Sequence, residues 1–463
     1  MNVVWFRTDL RIEDNLALEA ARHRGEVIAL YIATPDQWQT HNDAPIKLDF
    51  WRRNLLELEK ALSRLNIPLV CAQAPDYPGS IEIICSALSV WQADSLHLNA
   101  EYPLNEVRRD HQVLSAAREL GVEAVIHHDQ ILIEPGSVLN NSGEPFKVFT
   151  PFSKKCRVML QLPDRAEKIW PNSSLGVPGT IKGQKPLEEL GWPAPESRWT
   201  DLWPAGEKAA REKLKHFCSQ PVAGYKQNRD FPALPGTSTL SPWLTSGVIS
   251  IRDCWREATL SHSGEGPETW KNELLWREFY KHIIFHYPHV NMNKAFRQEL
   301  DSLPWRYDEK DFKAWCEGQT GIPIVDAAMR QLKETGWMHN RLRMITAMFL
   351  SKNLLLDWRW GEKWFMEHLV DGDFSANNGG WQWSSSTGTD AAPYFRIFNP
   401  ITQSQRFDAQ GGFIRYFVPE LSELDEKSIH DPGMLKPAEY PFPIVDLKMS
   451  RQRALAAFKN NKF

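Results

Sequence analysis

The chain lacks any stretch of about 18 consecutive apolar residues, so no membrane-spanning helix is expected. Its start, MNVVWFRTDLR, meets charge by residue 7 and has no apolar leader core. A cytoplasmic protein is therefore expected. Six cysteines (Cys71, Cys85, Cys156, Cys218, Cys254, Cys316) are scattered without a C-x-x-C pair. That argues against a zinc site or a disulfide framework, and they read as reduced packing thiols. No bound metal is expected. Charge of one sign is also missing: the net value of −4 gives no global attraction for a polyanion, so any such site must be a local basic patch. No G-x-G-x-x-G follows the first apolar run; the turn reads FRTDLRIEDN, against ordinary NAD binding.

What is present is an ordinary globular balance, 42% hydrophobic and 24% charged, in 463 residues. That length exceeds one core and implies two or more domains. Tryptophan is in surplus. There are 20, and 10 lie between Trp270 and Trp383. A large aromatic core explains many of them. Buried indoles also need an N–H acceptor, and indoles stack on bases and carry electrons, so a functional role stays open beside the packing one.

Residues 1–130 alternate two patterns. Short β-branched runs occur at 3–6, 27–33, 68–74, 95–99 and 124–128, with helical patterns at 48–65 and 105–121 between them. Strands alternating with helices predict an α/β doubly wound parallel sheet, with a ligand crevice at the carboxyl ends of the strands. Residues 131–200 are rich in Pro, Gly and Ser, as in PNSSLGVPGTIKGQKP, and predict a long interdomain connection with some order. Residues 201–463 are helical in pattern and predict an all-α domain. WKNELLWREFYKHIIFHY predicts a helix at 270–287. PIVDAAMRQLKETG predicts one at 323–336, with Pro323 at its start and Gly336 at its stop. Residues 340–358 are apolar nearly all round and predict one buried helix.

Several stretches carry candidate chemistry. In GTSTLS (236–241), small hydroxyls beside a glycine suit a helix start or a phosphate cradle; a plain N-cap is the simpler reading. Glu273, Trp276, Arg277 and Tyr280 share one helical face, while Leu275, Phe279 and Ile283 mark a core face. The simplest reading of the polar face is a Glu273–Arg277 surface ion pair; the other is a carboxyl and an indole lining a pocket. Arg341 and Arg343 lie on a helix expected to be buried, so each needs an anionic partner. D-G-D-F at 371–374 lacks the spacing and the final Glu of a calcium loop. In W-Q-W, Trp381 and Trp383 fall on different sides of their helix.

WFRTDLRIEDNLAL (5–18), GTSTLSPWLTSG (236–247), WKNELLWREFY (270–280), WMHNRLRMITAMFLSKNLLLDWRWG (337–361) and DGDFSANNGGWQWSSSTGTDAAPYFRIFNP (371–400) occur in this order. Together they resemble the DNA photolyase/cryptochrome family over nearly the whole chain. Within it they are most similar to the bacterial class I branch that acts on cyclobutane pyrimidine dimers.

The resemblance implies an antenna domain, a linker and a helical FAD domain, with FAD working as FADH⁻. It assigns Tyr225, Thr237, Ser238, Leu240 and Ser241 to the flavin pyrophosphate. Thr239 is expected to contribute only its backbone. Trp270, Arg277, Trp337, Asn340 and Arg343 lie near the flavin. Arg343 pairs with Asp371, Asp371 and Asp373 meet the ribose and ring edge, and Asn377 faces N5. Glu273 hydrogen-bonds the dimer carbonyls, Trp276 and Trp383 stack on the flipped dimer, and Asn340 and Met344 line its pocket. Trp381, Trp358 and Trp305 form a relay that photoreduces the flavin, with Trp305 at the surface. Arg229, Arg341 and Arg396 contact DNA.

Relatives acting on (6-4) photoproducts carry histidines where this chain has Asn340 and Met344, which favours cyclobutane dimers. Many cryptochromes carry an acid or thiol in place of Asn377, and no long tail follows Phe463. Both features favour repair over a blue-light receptor. His41, Asn105 and Glu106 match an antenna site for 5,10-methenyltetrahydrofolate, favoured here over deazaflavin, with Asn291, Met292 and Asn293 facing it. UV-damaged DNA is the expected partner; no protein partner is required, and a monomer is expected.

Overall fold

The computed structural model describes residues 1–160 and 176–461. The first part follows the order β1 (Asn2–Phe6), α1 (Leu16–Arg24), β2 (Val27–Ala33), α2 (Pro45–Ser63), β3 (Leu69–Gln73), α3 (Tyr77–Val90), β4 (Ser95–Asn99), α4 (Leu104–Glu119) and β5 (Glu123–His127). The five strands form one parallel sheet in the order β3-β2-β1-β4-β5. β1, β2 and β4 are buried along their whole length, which is why they read as apolar runs without alternation. α3 and α4 cover one face through Ile83, Ile84, Val113 and Ala117. α1 and α2 cover the other, and that core runs on into the helical part through Trp203, Trp243 and Trp270.

The second part contains α5 (Phe149–Met159), α6 (Ser241–Thr245), α7 (Glu265–His286), α8 (Pro323–Thr335), α9 (Asn340–Met348), α10 (Trp358–Met366) and α11 (Phe374–Ser385), among other helices. α8 starts at Pro323 and is capped by Gly336, as its sequence predicts. A second core, with Trp315, Leu342, Trp358 and Trp381, fills the space between α8, α9, α10 and α11. Among the described residues, no helix is long and apolar enough to cross a membrane.

One expectation is filled in and one needs correction. The segment 131–200 has the order expected of it. It contains α5, whose Phe149, Phe152 and Cys156 pack with Leu275, Phe279 and Ile283, the core face of α7. Part of PNSSLGVPGTIKGQKP, residues 171–175, lies outside the described residues. The expected single helix over 340–358 is broken. α9 ends at Met348, a π-turn spans Phe349–Asn353, and Leu355 takes φ +55°. Asp357 then caps a new helix by accepting from the Arg359 N–H at 3.0 Å. The apolar pattern correctly indicated burial, but a polar cap and the buried polar trio Ser351, Lys352 and Asn353 redirect the backbone.

The two parts dock through polar chemistry as well as through the shared apolar core. Gly247 takes φ +65°, and a Cβ there would overlap the backbone of Thr8 and Asp9. Nearby, Asp129 accepts from Arg11 at 2.6 Å and Arg252 at 2.8 Å, all three buried. Burial opposes ionisation of Asp129, but the two guanidiniums outweigh it and hold its carboxyl down at about 2.

Candidate active site

α7 presents one face to the helical core and another to a cavity of about 490 Å³, within the range of cofactor sites. Glu273, Trp276, Arg277 and Tyr280 all line it, confirming the shared face. The Glu273–Arg277 pair, the simpler of the two readings of this face, does not form. Glu273 pairs instead with Arg229 at 2.5 Å, and Arg277 donates to the Gln130 carbonyl at 2.6 Å.

Thr237, Ser238, Thr239, Leu240 and Ser241 also line the cavity, together with Tyr225 and Trp337, and Trp270 joins them from α7 itself. Thr239 takes φ +48°, and a threonine in that region signals a constrained turn. α6 begins two residues later, at Ser241, so the expected helix start is present. Trp337 donates its indole N–H to Ser241 Oγ at 3.2 Å.

α9 and α11 complete the enclosure with Asn340, Arg343, Met344, Asn377, Trp381 and Trp383. Arg343 reaches both Asp371 oxygens from one nitrogen, at 3.0 and 2.8 Å. Asp373 caps α11 at the Ala376 N–H and pairs with Lys281 at 3.0 Å. Its burial is outweighed by Lys281 and Arg277, which hold the carboxyl well below the usual range. Asn377 spends its amide N–H on the Glu362 carbonyl at 2.9 Å. No bond among the described residues takes its Oδ1, which leaves an acceptor for a ring N–H.

The aromatic residues of the cavity wall have their own support. Trp276 stacks on Phe149, with centroids 3.8 Å apart and planes 8° from parallel. Phe149 is fixed in turn by its N–H bond to Asp390 at 3.0 Å. Trp381 and Trp383, expected on different sides of α11, both border the cavity. Gly361 makes room for Trp381, since a Cβ there would overlap the indole. Arg341 and Arg396 lie outside the cavity lining; Arg341 pairs with Asp230 at 2.8 Å.

Of the proposed relay, Trp381 touches the cavity, while Trp358 and Trp305 lie behind it in the core. Trp305 is 6% exposed, so the expectation of a surface indole is corrected. It packs edge-on to Phe458, and its segment is bridged to the one before Trp358 through Arg306 and Leu356. Among the described residues, no acceptor reaches the indole N–H of Trp305, Trp358 or Trp381. Trp315 next to them donates normally to Thr346. An unpaired buried donor costs about 1–3 kcal/mol, and the indoles of Trp5 and Trp364, outside the proposed relay, share this state.

In the sheet domain, His41 lies 3.2 Å from Asn105 and 3.5 Å from Glu106. Tyr77 donates to Glu106 Oε1 at 2.9 Å, whereas the buried Oε2 has no partner among the described residues. Asn291 arrives from the helical part and accepts from the Leu104 N–H at 3.1 Å. Met292 is exposed, and Asn293 gives its carbonyl to Arg359.

Phe149, Gln130, Lys281 and Glu362 escape sequence reasoning. Only Lys281 left a signal, one turn beyond Arg277 on the polar face of α7.

A doubly wound sheet joined to helices, with small hydroxyls and buried Arg–Asp and Lys–Asp pairs around one deep cavity, defines an α/β-plus-α protein built around a cofactor-sized site. Residues 2–169 match the family model described as DNA photolyase, and residues 270–460 match the FAD binding domain of DNA photolyase. The chain is 43% identical to the deoxyribodipyrimidine photo-lyase of Vibrio cholerae, with both chains covered in full. Among solved structures it resembles a class III photolyase from Agrobacterium tumefaciens (TM-score 0.86, 37% identity, 99% and 97% of the two chains covered). It also resembles an archaeal photolyase from Sulfolobus tokodaii, solved with two FAD molecules (TM-score 0.85, 32% identity, 99% and 100% covered). The chain belongs to the DNA photolyase family.

Proposed function

We propose that this chain repairs cyclobutane pyrimidine dimers in DNA, driven by light. The observation that carries this reading is a single cavity with two chemistries on its wall: a cofactor side (Thr237–Ser241, Arg343–Asp371, Asn377) and a base-stacking side (Glu273, Trp276, Met344, Trp383).

The cofactor side suits FAD: hydroxyls and a strained turn for the pyrophosphate, and a free amide oxygen for a ring N–H. Bound reduced FAD supplies a photoexcited electron to the dimer and takes it back after the cyclobutane ring opens. The protein's task is to orient and shield. Trp276, backed by Phe149, and Trp383 offer flat faces to a flipped dimer. Stacking at about 1–3 kcal/mol per base offsets much of the cost of flipping; photolyases are among the systems for which base flipping is a general rule. Glu273, held by Arg229, hydrogen-bonds the dimer and supports protonation of its radical anion. Asn340 and Met344 occupy the lesion pocket without the histidine pair that (6-4) chemistry calls for. Arg229, Arg341 and Arg396 serve the lesion strand and its phosphates. Trp305, Trp358 and Trp381 form the route by which oxidised cofactor is reset. His41, Asn105 and Glu106 bind an antenna whose donor edge meets the uncommitted Glu106 oxygen, and methenyltetrahydrofolate has that edge. The S. tokodaii photolyase holds a second FAD, and extraction of the bound chromophore separates the two.

The deciding experiment uses purified, reduced protein and an oligonucleotide with one thymine cyclobutane dimer. Thymines should be restored under blue light and not in the dark. No repair of this or of a (6-4) substrate, with flavin bound and photoreducible, would leave a light receptor on the same fold.

A further inference from the structure

Lys352 is fully buried on the π-turn that follows α9. Lysine is almost never wholly buried without a carboxylate partner. Among the described residues Lys352 has none. Its ammonium donates to Ser386 Oγ at 2.8 Å and to the backbone carbonyl of Arg396 at 2.9 Å. Ser386 is the left-handed cap that ends α11, just after Trp383. The segment 386–396 then leaves the cavity rim and ends at Arg396, whose side chain is exposed and has no ion-pair partner among the described residues. One buried side chain thus fastens both ends of this segment to the π-turn that follows the helix carrying Asn340, Arg343 and Met344. Burial, then the positive field of Arg396, pulls the Lys352 ammonium down to about 7. Arg396 therefore stands at the end of the fastened segment with no carboxylate partner among the described residues, an arrangement that a phosphodiester would complete.

We propose that Lys352 is a positioning residue for DNA: it pins the 386–396 segment so that Arg396 is presented to a backbone phosphate beside the lesion pocket. The inference rests on DNA being the ligand of this site. Lys352 does not touch the lesion, and a packing role alone would not make its loss depend on Arg396.

The test measures binding of the FAD-loaded protein to a dimer-containing duplex across a salt series. Wild-type binding and repair are established first; their absence would sink the proposed function and not this inference. With them in hand, Lys352→Met should bind roughly five- to tenfold more weakly at about 0.1 M salt. Its slope of log affinity against log salt should fall by about 0.9, one phosphate contact. Flavin absorbance and the rate of photoreduction should stay at wild-type values. Arg396→Ala should show the same loss, and the double variant should be no weaker than Arg396→Ala alone. Wild-type affinity and slope in Lys352→Met, or losses that multiply in the double variant, would overturn the proposal. If Lys352→Met fails to hold FAD, Ser386→Ala removes one of the two fastenings. It should weaken binding about two- to threefold, and unchanged binding there would also overturn the idea.

Discussion

At the scale of single residues, the cavity is governed by where polar groups spend their hydrogen bonds. Glu273 and Trp276 both line the cavity from α7, where the proposed function puts them against the dimer. Glu273→Ala and Trp276→Ala should each lower lesion affinity or repair per photon by tenfold or so, about 1.4 kcal/mol, with FAD content unchanged. Intact repair in both variants would sink the assignment.

Glu362 offers a second check. It is buried, and its Oε1 accepts from Asn378 at 2.8 Å while its carbonyl holds Asn377. Burial raises its carboxyl from 4.5 to about 7, with Asn378 and Arg359 opposing. A raised carboxyl favours the folded state when protonated. Its contribution is fully present below about pH 4.5 and is lost as pH rises through about 7. Glu362→Gln should therefore lose less thermal stability than wild type between pH 4.5 and 8. Parallel unfolding midpoints across that range would refute the assignment.

At the scale of elements, α7 is legible because its two faces have different periodic partners: Leu275, Phe279 and Ile283 inward, Glu273, Trp276, Arg277 and Tyr280 toward the cavity. α9 was misjudged, since apolarity reports burial and not continuity; the cap at Asp357 and the bonds of Lys352 end the helix. α5 was missed because Pro- and Gly-rich flanks hide a short helix whose stability is tertiary. Its Phe149 makes the tightest ring stack around the site. Phe149→Ala should loosen Trp276, weakening dimer binding severalfold and costing about 3–5 kcal/mol of stability. Equilibrium binding and denaturant unfolding on the same preparation measure both. A stability loss with unaltered binding would mean that Phe149 serves packing alone.

At the scale of the whole molecule, the two parts are locked by Arg11, Asp129 and Arg252 and by the close approach at Gly247. The Asp129 carboxyl is depressed in the folded state, so its contribution is present above its ordinary value of 3.8 and is lost as pH falls through about 2. Asp129→Asn should flatten that acid limb. At neutral pH it should cost about 3–5 kcal/mol, because two buried guanidiniums lose their shared anion. Calorimetry from pH 2 to 7 reads both effects.

The sequence by itself determined the parallel sheet, the helical second half and most of the cavity wall. Strand runs, the faces of α7 and long ordered motifs are local or family-wide signals, and they survive without coordinates. Only the tertiary structure decided which groups pair. Glu273 turned to Arg229 and away from Arg277, Trp305 sank into the core, and Lys352 found acceptors 34 and 44 residues away. The physical reason is that a buried polar group must be satisfied by whatever the fold brings within about 3 Å. That neighbour is set by packing and not by sequence spacing.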